Sequence, residues 1–396
     1  MCKVFDFDQI INRYNTDSFK YDMMKKLFGK SDLIPLWVAD MEFATPKCVI
    51  DEMYNRLKHP IFSYTLCGED FYNLINKRMQ KKYGVVVHRD WIVQVPGVVP
   101  ALAICVYAFS NDNQGVVIQP PVYGPFAETI VGNNRRLVEN NLIRNLDGSF
   151  SIDFNDIQDI AINPDNKMMI ICNPHNPVGR IWNTNEIVNI SNIFTNNFNS
   201  DKIIIEDAIH CDIVYPGEKY TPLFSINQQI EQNSITIFSA SKTFNIAGLN
   251  CAYCIIPNAK IRRQFIKKQS ELHLMISNIM GVTAQNAAYR NGQEWENQLV
   301  KYIYNNYLFL NDFVNKYIPQ IKVTKSQATF LNWLDCSQIS CDNDVLKDFF
   351  VNKCGVALNS GVDFGSGGAG FQRINIGCPK SMLLNALENI ANALNN

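Results

Sequence analysis

The sequence has no apolar run of membrane-spanning length, and its opening stretch, residues 1–8, lacks the apolar core of a secretory signal. We therefore expect a soluble, cytoplasmic protein that makes no membrane contact. The sequence also lacks a basic cluster, since 36 Lys and Arg stand against 37 Asp and Glu, for a net charge of -1. This balance argues against nucleic acid as a main partner. Internal repeats and low-complexity segments are absent as well.

The cysteines lack the paired spacing of a structural zinc site. Most of the 12 stand singly inside apolar runs, as Cys105 and Cys172 do, which is typical of small buried side chains in a reducing compartment. Cys251 and Cys254 form the one close pair, and a zinc site would need a second pair. The sequence therefore predicts no metal centre.

What the sequence does contain is a repeated order: a short apolar run, then at once Gly, Pro or a polar residue, then a helical pattern. The runs that show this order are 91–95, 115–118, 168–172, 202–205 and 235–238. Continuous Ile and Val runs indicate strands buried on both faces, as in a parallel sheet with helices on either side. Ligands of such sheets bind beyond the carboxyl ends of the strands. We therefore expect the polar residues after these runs to converge on one site.

The pattern changes beyond about residue 290. A long amphipathic helix at 295–317 precedes short strands and a final helix from Lys380. With 396 residues, 47% of them hydrophobic, the chain is long enough for one large domain and a smaller one. The predicted division is an N-terminal arm that joins the small domain, a large domain, and a small C-terminal domain: 1–45, 46–289 and 290–396.

Lys242 follows the last of the five runs and stands next to Ser239, Ser241 and the apolar Phe244. Partial desolvation would lower the pKa of its amine and make it a usable nucleophile. The two hydroxyls could bind a phosphate. The combination suits a lysine that holds pyridoxal phosphate as a Schiff base. Taken alone, the pattern also fits a solvated loop lysine just past a strand.

Two other strand ends carry candidate cofactor contacts. Gly97, Val98 and Val99 open a helix directly after a strand, where free N–H groups bind phosphate well; an ordinary tight turn is the alternative. Tyr123 lies in a stiff Pro-Pro-Val-Tyr-Gly-Pro loop, which would hold its ring for stacking. A packed loop tyrosine is the alternative there.

The remaining candidates are polar residues with a specific need for a partner. Asn176, in Asn-Pro-His-Asn-Pro-Val-Gly, could hydrogen-bond a phenolate oxygen, whereas His175 is predicted to be structural. Asp207 ends an Ile-rich run, where a buried carboxylate needs a partner such as a protonated pyridine nitrogen. His210 could reach a ring hydroxyl or be structural. Arg373 needs a carboxylate, either of a substrate amino acid or of an internal Asp or Glu.

Together these motifs resemble the aspartate-aminotransferase-like (fold type I) pyridoxal-phosphate enzymes, and within that class the cystathionine β-lyase-like C–S lyases. The resemblance implies an α/β fold: a large domain with a mostly parallel seven-stranded sheet flanked by helices, plus a smaller α+β domain. It covers nearly the whole chain and rests on these stretches: Asn12-Arg-Tyr-Asn-Thr, Trp37-Val-Ala-Asp-Met-Glu-Phe43, Pro96-Gly-Val-Val-Pro100, Pro121-Val-Tyr-Gly-Pro-Phe126, Asn173-Pro-His-Asn-Pro-Val-Gly-Arg180, Asp207-Ala-Ile-His-Cys-Asp212, Ser241-Lys-Thr-Phe-Asn-Ile-Ala-Gly248, Phe364-Gly and Asn375-Ile-Gly-Cys-Pro379.

The resemblance implies a role for each matching position around the pyridoxal 5'-phosphate ring. Lys242 would hold the cofactor covalently and move the substrate proton, and Asp207 would pair with the pyridine nitrogen. Asn176 and His210 would contact the ring oxygen, and Tyr123 would stack on the ring.

The resemblance also implies how phosphate and substrate are held. Ser239, Ser241 and the amides of 97–99 would hold the phosphate. Arg373, with Asn176, would bind the carboxylate of a small-molecule amino-acid substrate. Tyr64 would be contributed across a homodimer with shared active sites, to both cofactor and substrate.

Departures from the aminotransferase pattern favour the lyase branch of the family. Aminotransferases of this class usually have Tyr at the position of His210 and Arg at the position of Asn250, and both changes match the lyase branch. Within that branch Ala208, Gly124 and Gln372 are atypical. They remove no catalytic group and bear on substrate preference.

The implied reaction is a β-elimination on a sulfur amino acid, with cystathionine giving homocysteine, pyruvate and ammonia as the leading case and cysteine conjugates next. This would place the protein in methionine or cysteine metabolism. Two alternatives stay open: a class I/II aminotransferase, and a regulatory or binding protein on a retained enzyme fold.

Overall fold

The computed structural model describes residues 4–195 and 201–395. The first three residues of the predicted arm and the last residue of the predicted small domain lie outside this range. The helices are α1 (Phe19–Asp22), α2 (Met24–Phe28), α3 (Lys47–Leu57), α4 (Glu69–Tyr83), α5 (Val98–Phe109), α6 (Pro125–Gly132), α7 (Phe154–Ile162), α8 (Thr184–Thr195), α9 (Gln228–Gln232), α10 (Ala259–Glu271), α11 (Ile279–Asn291), α12 (Gln293–Tyr317), α13 (Asn343–Asp348) and α14 (Lys380–Asn395).

The strands are β1 (Ile34–Pro35), β2 (Ile92–Val95), β3 (Gly115–Ile118), β4 (Arg136–Glu139), β5 (Ile143–Arg144), β6 (Phe150–Ser151), β7 (Asn166–Cys172), β8 (Ile203–Asp207), β9 (Ser234–Phe238), β10 (Ala252–Ile255), β11 (Lys322–Val323), β12 (Leu331–Asp335), β13 (Val356–Ala357), β14 (Asn359–Ser360) and β15 (Phe371–Asn375).

The large sheet has seven strands in the order β2-β10-β9-β8-β7-β3-β4. The strands from β9 to β4 pair in parallel, whereas β10 is antiparallel to both of its neighbours. The predicted fold class, a mostly parallel seven-stranded sheet flanked by helices, is therefore confirmed. Each of the five apolar runs forms a strand of this sheet. Two strands of this sheet, β4 and β10, had no counterpart in the sequence prediction.

The central strands are buried on both faces, as their continuous apolar sequence predicted. Along β7, Met168 and Ile170 pack into a core with α5, while Met169 and Ile171 pack into a second core with α8 on the other face. Each fully buried side chain of this size stabilises the fold by roughly 1.5–3 kcal/mol. The sheet is therefore a rigid support for the residues that follow its strands.

The C-terminal part has its own sheet, in the order β11-β12-β15-β14, with antiparallel pairing. The N-terminal arm contacts the C-terminal part through a separate two-stranded sheet, in which β1 pairs with β13 in parallel. Helix α12 buries the apolar face that its 3–4 spacing predicted, including Leu299, Ile303 and Leu310. The predicted domain boundaries at 45/46 and 289/290 stay predictions. None of the described helices is both long and apolar enough to cross a membrane.

Candidate active site

A cavity of about 330 Å³ opens where β7, β8 and β9 end, at the carboxyl edge of the large sheet. This is the edge at which the sequence predicted a ligand site. The structure brings most of the predicted site residues into its lining: Gly97, Val98, Val99, Tyr123, Asn176, Asp207, His210, Ser239, Ser241 and Lys242. The lining also includes residues that the sequence did not assign to the site, among them Ala39 and Cys172.

Lys242 lies just past the end of β9 and is half-buried in this cavity. Its Nζ donates a hydrogen bond to the main-chain oxygen of Ala39 at 2.7 Å. Burial lowers the pKa of Lys242 to about 8; the carboxylate of Asp40 acts in the opposite direction, and the charge of Arg373 adds to the lowering. The pKa shift has the direction that the sequence predicted. The solvated-loop alternative is excluded.

Asp207 is the last residue of β8 and is only 3% exposed. Its Oδ1 accepts the amide N–H of Ile209 at 3.1 Å. Burial raises the pKa of Asp207 to about 6, against the effects of that hydrogen bond and of the Lys242 charge. Among the described residues, no cation lies within ion-pair distance of the carboxylate. The site therefore contains a buried carboxylate that still needs a cationic partner.

Arg373, on β15, is buried beside the cavity and connects it to the C-terminal sheet. Its Nη1 donates to Oδ1 of Asn176 at 3.2 Å, and its Nη2 donates to the main-chain oxygen of Trp37 at 2.7 Å and to Oδ1 of Asn359 at 2.5 Å. No described carboxylate lies within 4.0 Å of the guanidinium, so the internal Asp or Glu partner that the sequence left open is absent from this part of the chain. Burial lowers the pKa of Arg373 to about 10, which leaves it charged at neutral pH.

His210 and Tyr123, two of the side chains predicted to contact the ring, both line the cavity. His210 is buried, and its Nδ1 has no hydrogen-bond partner among the described residues. Burial, together with the charges of Lys242 and Arg373, lowers the pKa of His210 to about 3, so its imidazole is neutral. Tyr123 packs edge-on against Phe126, with 5.8 Å between the ring centroids.

His175, which the sequence predicted to be structural, is not among the residues that line the cavity. It is fully buried below the site, and its Nε2 lies 3.2 Å from the main-chain oxygen of Gln119. Burial lowers the pKa of His175 to about 3, so this ring is neutral as well.

Neutral hydrogen-bond donors gather at one end of the cavity. The 12-residue helix α5 begins here, and the first N–H groups of a helix have no partner within it. The hydroxyl of Ser239 lies 2.9 Å from that of Ser241 and 2.7 Å from the main-chain oxygen of Cys251. This end of the cavity can bind an anion.

The N-terminal arm contributes main-chain groups to the site, and the sequence predicted no site residue in this segment. Main-chain oxygens of Trp37 and Ala39 bind Arg373 and Lys242. Two asparagines fix the arm in place. Asn245 binds the main chain of Met41 and Phe43, and Asn375 donates to the oxygens of Val38 and Asp40. Two sequence signals were available: these asparagines stand three residues after the lysine and two after the arginine, and Trp37–Phe43 is one of the stretches that carry the family resemblance.

Tyr64 does not line the cavity of its own chain. Its side chain is 90% exposed, in an extended segment that also exposes Ile61, Phe62 and Leu66. Within one chain, therefore, Tyr64 and the other predicted site residues are not brought together.

Gly124, one of the atypical residues, is explained by a close contact with the main chain. A Cβ atom built on Gly124 would lie 2.5 Å from the main-chain oxygen of Asp363. We expect Gly124→Ala to displace the 361–364 turn and to lower the free energy of unfolding by about 1–3 kcal/mol. Urea denaturation measures this loss.

Gly132→Ala provides the matched control, because Gly132 is the last residue of α6, Gly124 immediately precedes that helix, and a Cβ added at Gly132 would meet nothing within 4 Å. It should leave the free energy of unfolding equal or slightly higher. Equal unfolding midpoints for the two variants would contradict the proposed contact.

Comparison with known proteins agrees with this geometry. Residues 31–390 match the family model described as aminotransferase class I and II. Cystathionine beta-lyase PatB of Bacillus subtilis is 36% identical over 98% of this chain and 100% of its own length, and protein MalY of Escherichia coli is 29% identical over 99% of both chains.

Solved structures match over the same extent. Cystalysin from Treponema denticola, which contains a pyridoxal 5'-phosphate cofactor, superposes with a TM-score of 0.95 at 33% identity over 99% of both chains. The pyridoxal-phosphate-bound C-S lyase from Staphylococcus hominis has a TM-score of 0.90 at 31% identity and covers 100% of this chain and 99% of its own. The chain therefore belongs to the aminotransferase class I and II family.

Proposed function

We propose that this protein is a pyridoxal-phosphate-dependent C–S lyase that carries out β-elimination on a sulfur-containing L-amino acid. The observation that carries the proposal is the pairing, in one cavity, of a lysine whose pKa is lowered to about 8 with a buried carboxylate that lacks a cationic partner. The names of the similar proteins, cystathionine beta-lyase and C-S lyase, support the choice of reaction.

The described residues fit each functional group of pyridoxal phosphate: the aldehyde, the ring nitrogen, the ring oxygen and the phosphate. The amine of Lys242 faces the cavity from one side, and the carboxylate of Asp207 offers the anion that a pyridinium nitrogen needs. The partnerless Nδ1 of His210 is available for a ring oxygen. Ser239, Ser241 and the start of α5 form the anion-binding end. When bound there, pyridoxal phosphate supplies an aldehyde for the lysine and a ring that accepts electrons from the substrate Cα.

The protein's own groups have distinct tasks in this reaction. Arg373 and Asn176 hold the substrate carboxylate, which orients the Cα–H bond toward the lysine. Lys242 Nζ takes the Cα proton, because its lowered pKa keeps a useful fraction neutral. The Asp207 carboxylate keeps a proton on the ring nitrogen. In the balanced reaction, one water and one amino acid R–S–CH2–CH(NH3+)–COO− give the thiol R–SH, pyruvate and ammonium.

A substrate panel tests the proposal directly. We expect cystathionine to yield pyruvate and free thiol in equal amounts, and cysteine conjugates to react as well. Transfer of the amino group to a 2-oxo acid without pyruvate release would instead identify an aminotransferase. Retained partner binding by a Lys242→Ala protein, with no turnover by the wild type on any of these substrates, would favour a regulatory protein.

The pKa of Lys242 predicts how the cofactor-free protein reacts with added cofactor. An amine with a pKa of about 8 is about one-tenth neutral at pH 7, whereas an unperturbed lysine is less than 0.1% neutral. The rate of imine formation should therefore rise about tenfold per pH unit below pH 8 and level off above it. Stopped-flow absorbance at varied pH measures this rate. A rise that continues to pH 10 would contradict the lowered pKa.

We also propose that the active protein is a homodimer and that Tyr64 enters the site of the partner subunit. The exposed apolar segment 61–66 is suited to burial against a second copy. The cytoplasmic location and the absence of nucleic-acid and membrane partners stay predictions.

Mixing two inactive variants tests the shared site. Tyr64→Ala and Lys242→Ala should each be poorly active alone. After joint unfolding and refolding, half of the subunit pairs are mixed, and each mixed pair has one site with no substitution. About a quarter of wild-type activity should then return. Activity no higher than the sum of the two separate variants would rule out a shared site.

A further inference from the structure

A second cavity lies beside the first, next to Arg373, and has a volume of about 240 Å³. Trp37 and Asn359 line it, and the same two residues bind Nη2 of the arginine. Asn176, which lines the first cavity, binds Nη1. The buried guanidinium therefore lies between the two cavities and is held from both sides.

Two side chains of opposite charge line the second cavity. Lys347 comes from α13, and Asp363 comes from the 3₁₀ turn at 361–364. No hydrogen bond or ion pair within 4.0 Å connects either charged group to a described residue. The two charges are nevertheless close enough to interact. Asp363 is an exposed residue, but desolvation by the surrounding protein raises the pKa of its carboxyl group, and the charges of Arg373 and Lys347 oppose that rise. Lys347 and Asp363 are both exposed, so their charges are accessible to a ligand.

The rest of the wall combines one free polar group with apolar side chains. The hydroxyl of Ser360 is buried and has no hydrogen-bond partner among the described residues. Phe28, Phe350 and Leu358 supply apolar surface next to the Trp37 ring. A cation, an anion, a hydroxyl and an apolar wall in one small cavity complement an α-amino acid with an apolar side chain.

We propose that this second cavity binds a free apolar α-amino acid, with its carboxylate at Lys347, its ammonium group at Asp363 and its side chain against Phe28 and Trp37. An occupant also contacts Asn359, one of the residues that hold Arg373. Binding in this cavity is independent of the proposed lyase activity. Its consequence for the substrate carboxylate, a changed KM, rests on that activity.

Isothermal titration calorimetry of the protein as purified, with L-leucine as the probe, tests the binding. We expect 4-methylpentanoate, which lacks the ammonium group, and 3-methylbutylamine, which lacks the carboxylate, to bind about tenfold more weakly or worse. Lys347→Ala and Asp363→Asn should each weaken L-leucine binding by about the same factor. Lys353→Ala and Asp344→Asn, exposed positions outside the cavity lining, should leave it unchanged.

Two further readouts separate this cavity from the catalytic one. Binding should leave the visible cofactor band unchanged, and L-leucine should alter the KM for cystathionine in the wild type but not in Lys347→Ala. The proposal would be overturned if L-leucine gave no binding heat, or if both cavity variants bound it with wild-type affinity. It would also be overturned if the heat and a shift of the cofactor band showed the same dependence on L-leucine concentration, because the binding site would then be the catalytic cavity. An inactive enzyme that still binds L-leucine through Lys347 and Asp363 would refute the lyase and leave the binding site supported.

Discussion

Lys242→Ala is expected to abolish turnover, with a fall in kcat of at least about 10⁴-fold, because one amine both attaches the cofactor and moves the substrate proton. The variant should also lose the covalent attachment itself. After borohydride treatment with pyridoxal phosphate, peptide mass spectrometry should find the cofactor fixed at position 242 in the wild type and at no residue of the cavity in the variant.

Folding is not expected to suffer from this change. Burial of the amine already lowers its pKa, so its removal takes away a group that is costly to bury in its charged form. Lys260→Ala, on the exposed start of α10, is the matched control and should keep wild-type kcat and full labelling at 242. Labelling of another lysine in the wild type, with 242 unmodified, would refute the central assignment.

Asp207→Asn is expected to lower kcat by about 10³-fold while the cofactor stays attached to Lys242. With a pKa of about 6, the carboxylate is mostly ionised at pH 7 and can hold a proton on the pyridine nitrogen. The amide has nearly the same shape and no charge, so the ring would accept electrons less well. Stopped-flow measurement of single turnovers isolates this step, and borohydride labelling reports that the lysine is still occupied.

Slow turnover combined with normal labelling distinguishes Asp207 from a merely structural residue. Loss of a structural residue would lower both kcat and the extent of labelling. Asp159→Asn, exposed on α7, should change neither quantity. A variant at Asp207 with wild-type kcat would show that the carboxylate does not serve the ring nitrogen.

The site residues at the strand ends were predictable from the sequence because each stands at or after the end of a continuous apolar run. Asp207 is the last residue of β8, and Asn176 and Lys242 come shortly after β7 and β9. Parallel strands present their carboxyl ends on the same edge of a sheet. A run of Ile or Val followed at once by a polar residue marks both the strand and its end.

Other features were not visible in the sequence, for identifiable reasons. Strand β4 lies at the sheet edge with an exposed arginine, so it lacks the apolar signature of a central strand. Strand β10 is buried, but its direction is set by pairing with β2, a contact distant in sequence. Main-chain oxygens of Trp37 and Ala39 contact Arg373 and Lys242, and a main-chain oxygen is the same at every residue. The residue types at positions 37 and 39 therefore do not predict those contacts.

Because the arm reaches the site through its peptide oxygens, the number of residues from Trp37 to Ala39 is more tightly constrained than the identity of Val38. A replaced side chain leaves each oxygen where it is, whereas one residue inserted or deleted between Trp37 and Ala39 would change the spacing of the two oxygens that bind the arginine and the lysine. Relatives that keep this chemistry should therefore differ here by substitution and not by length.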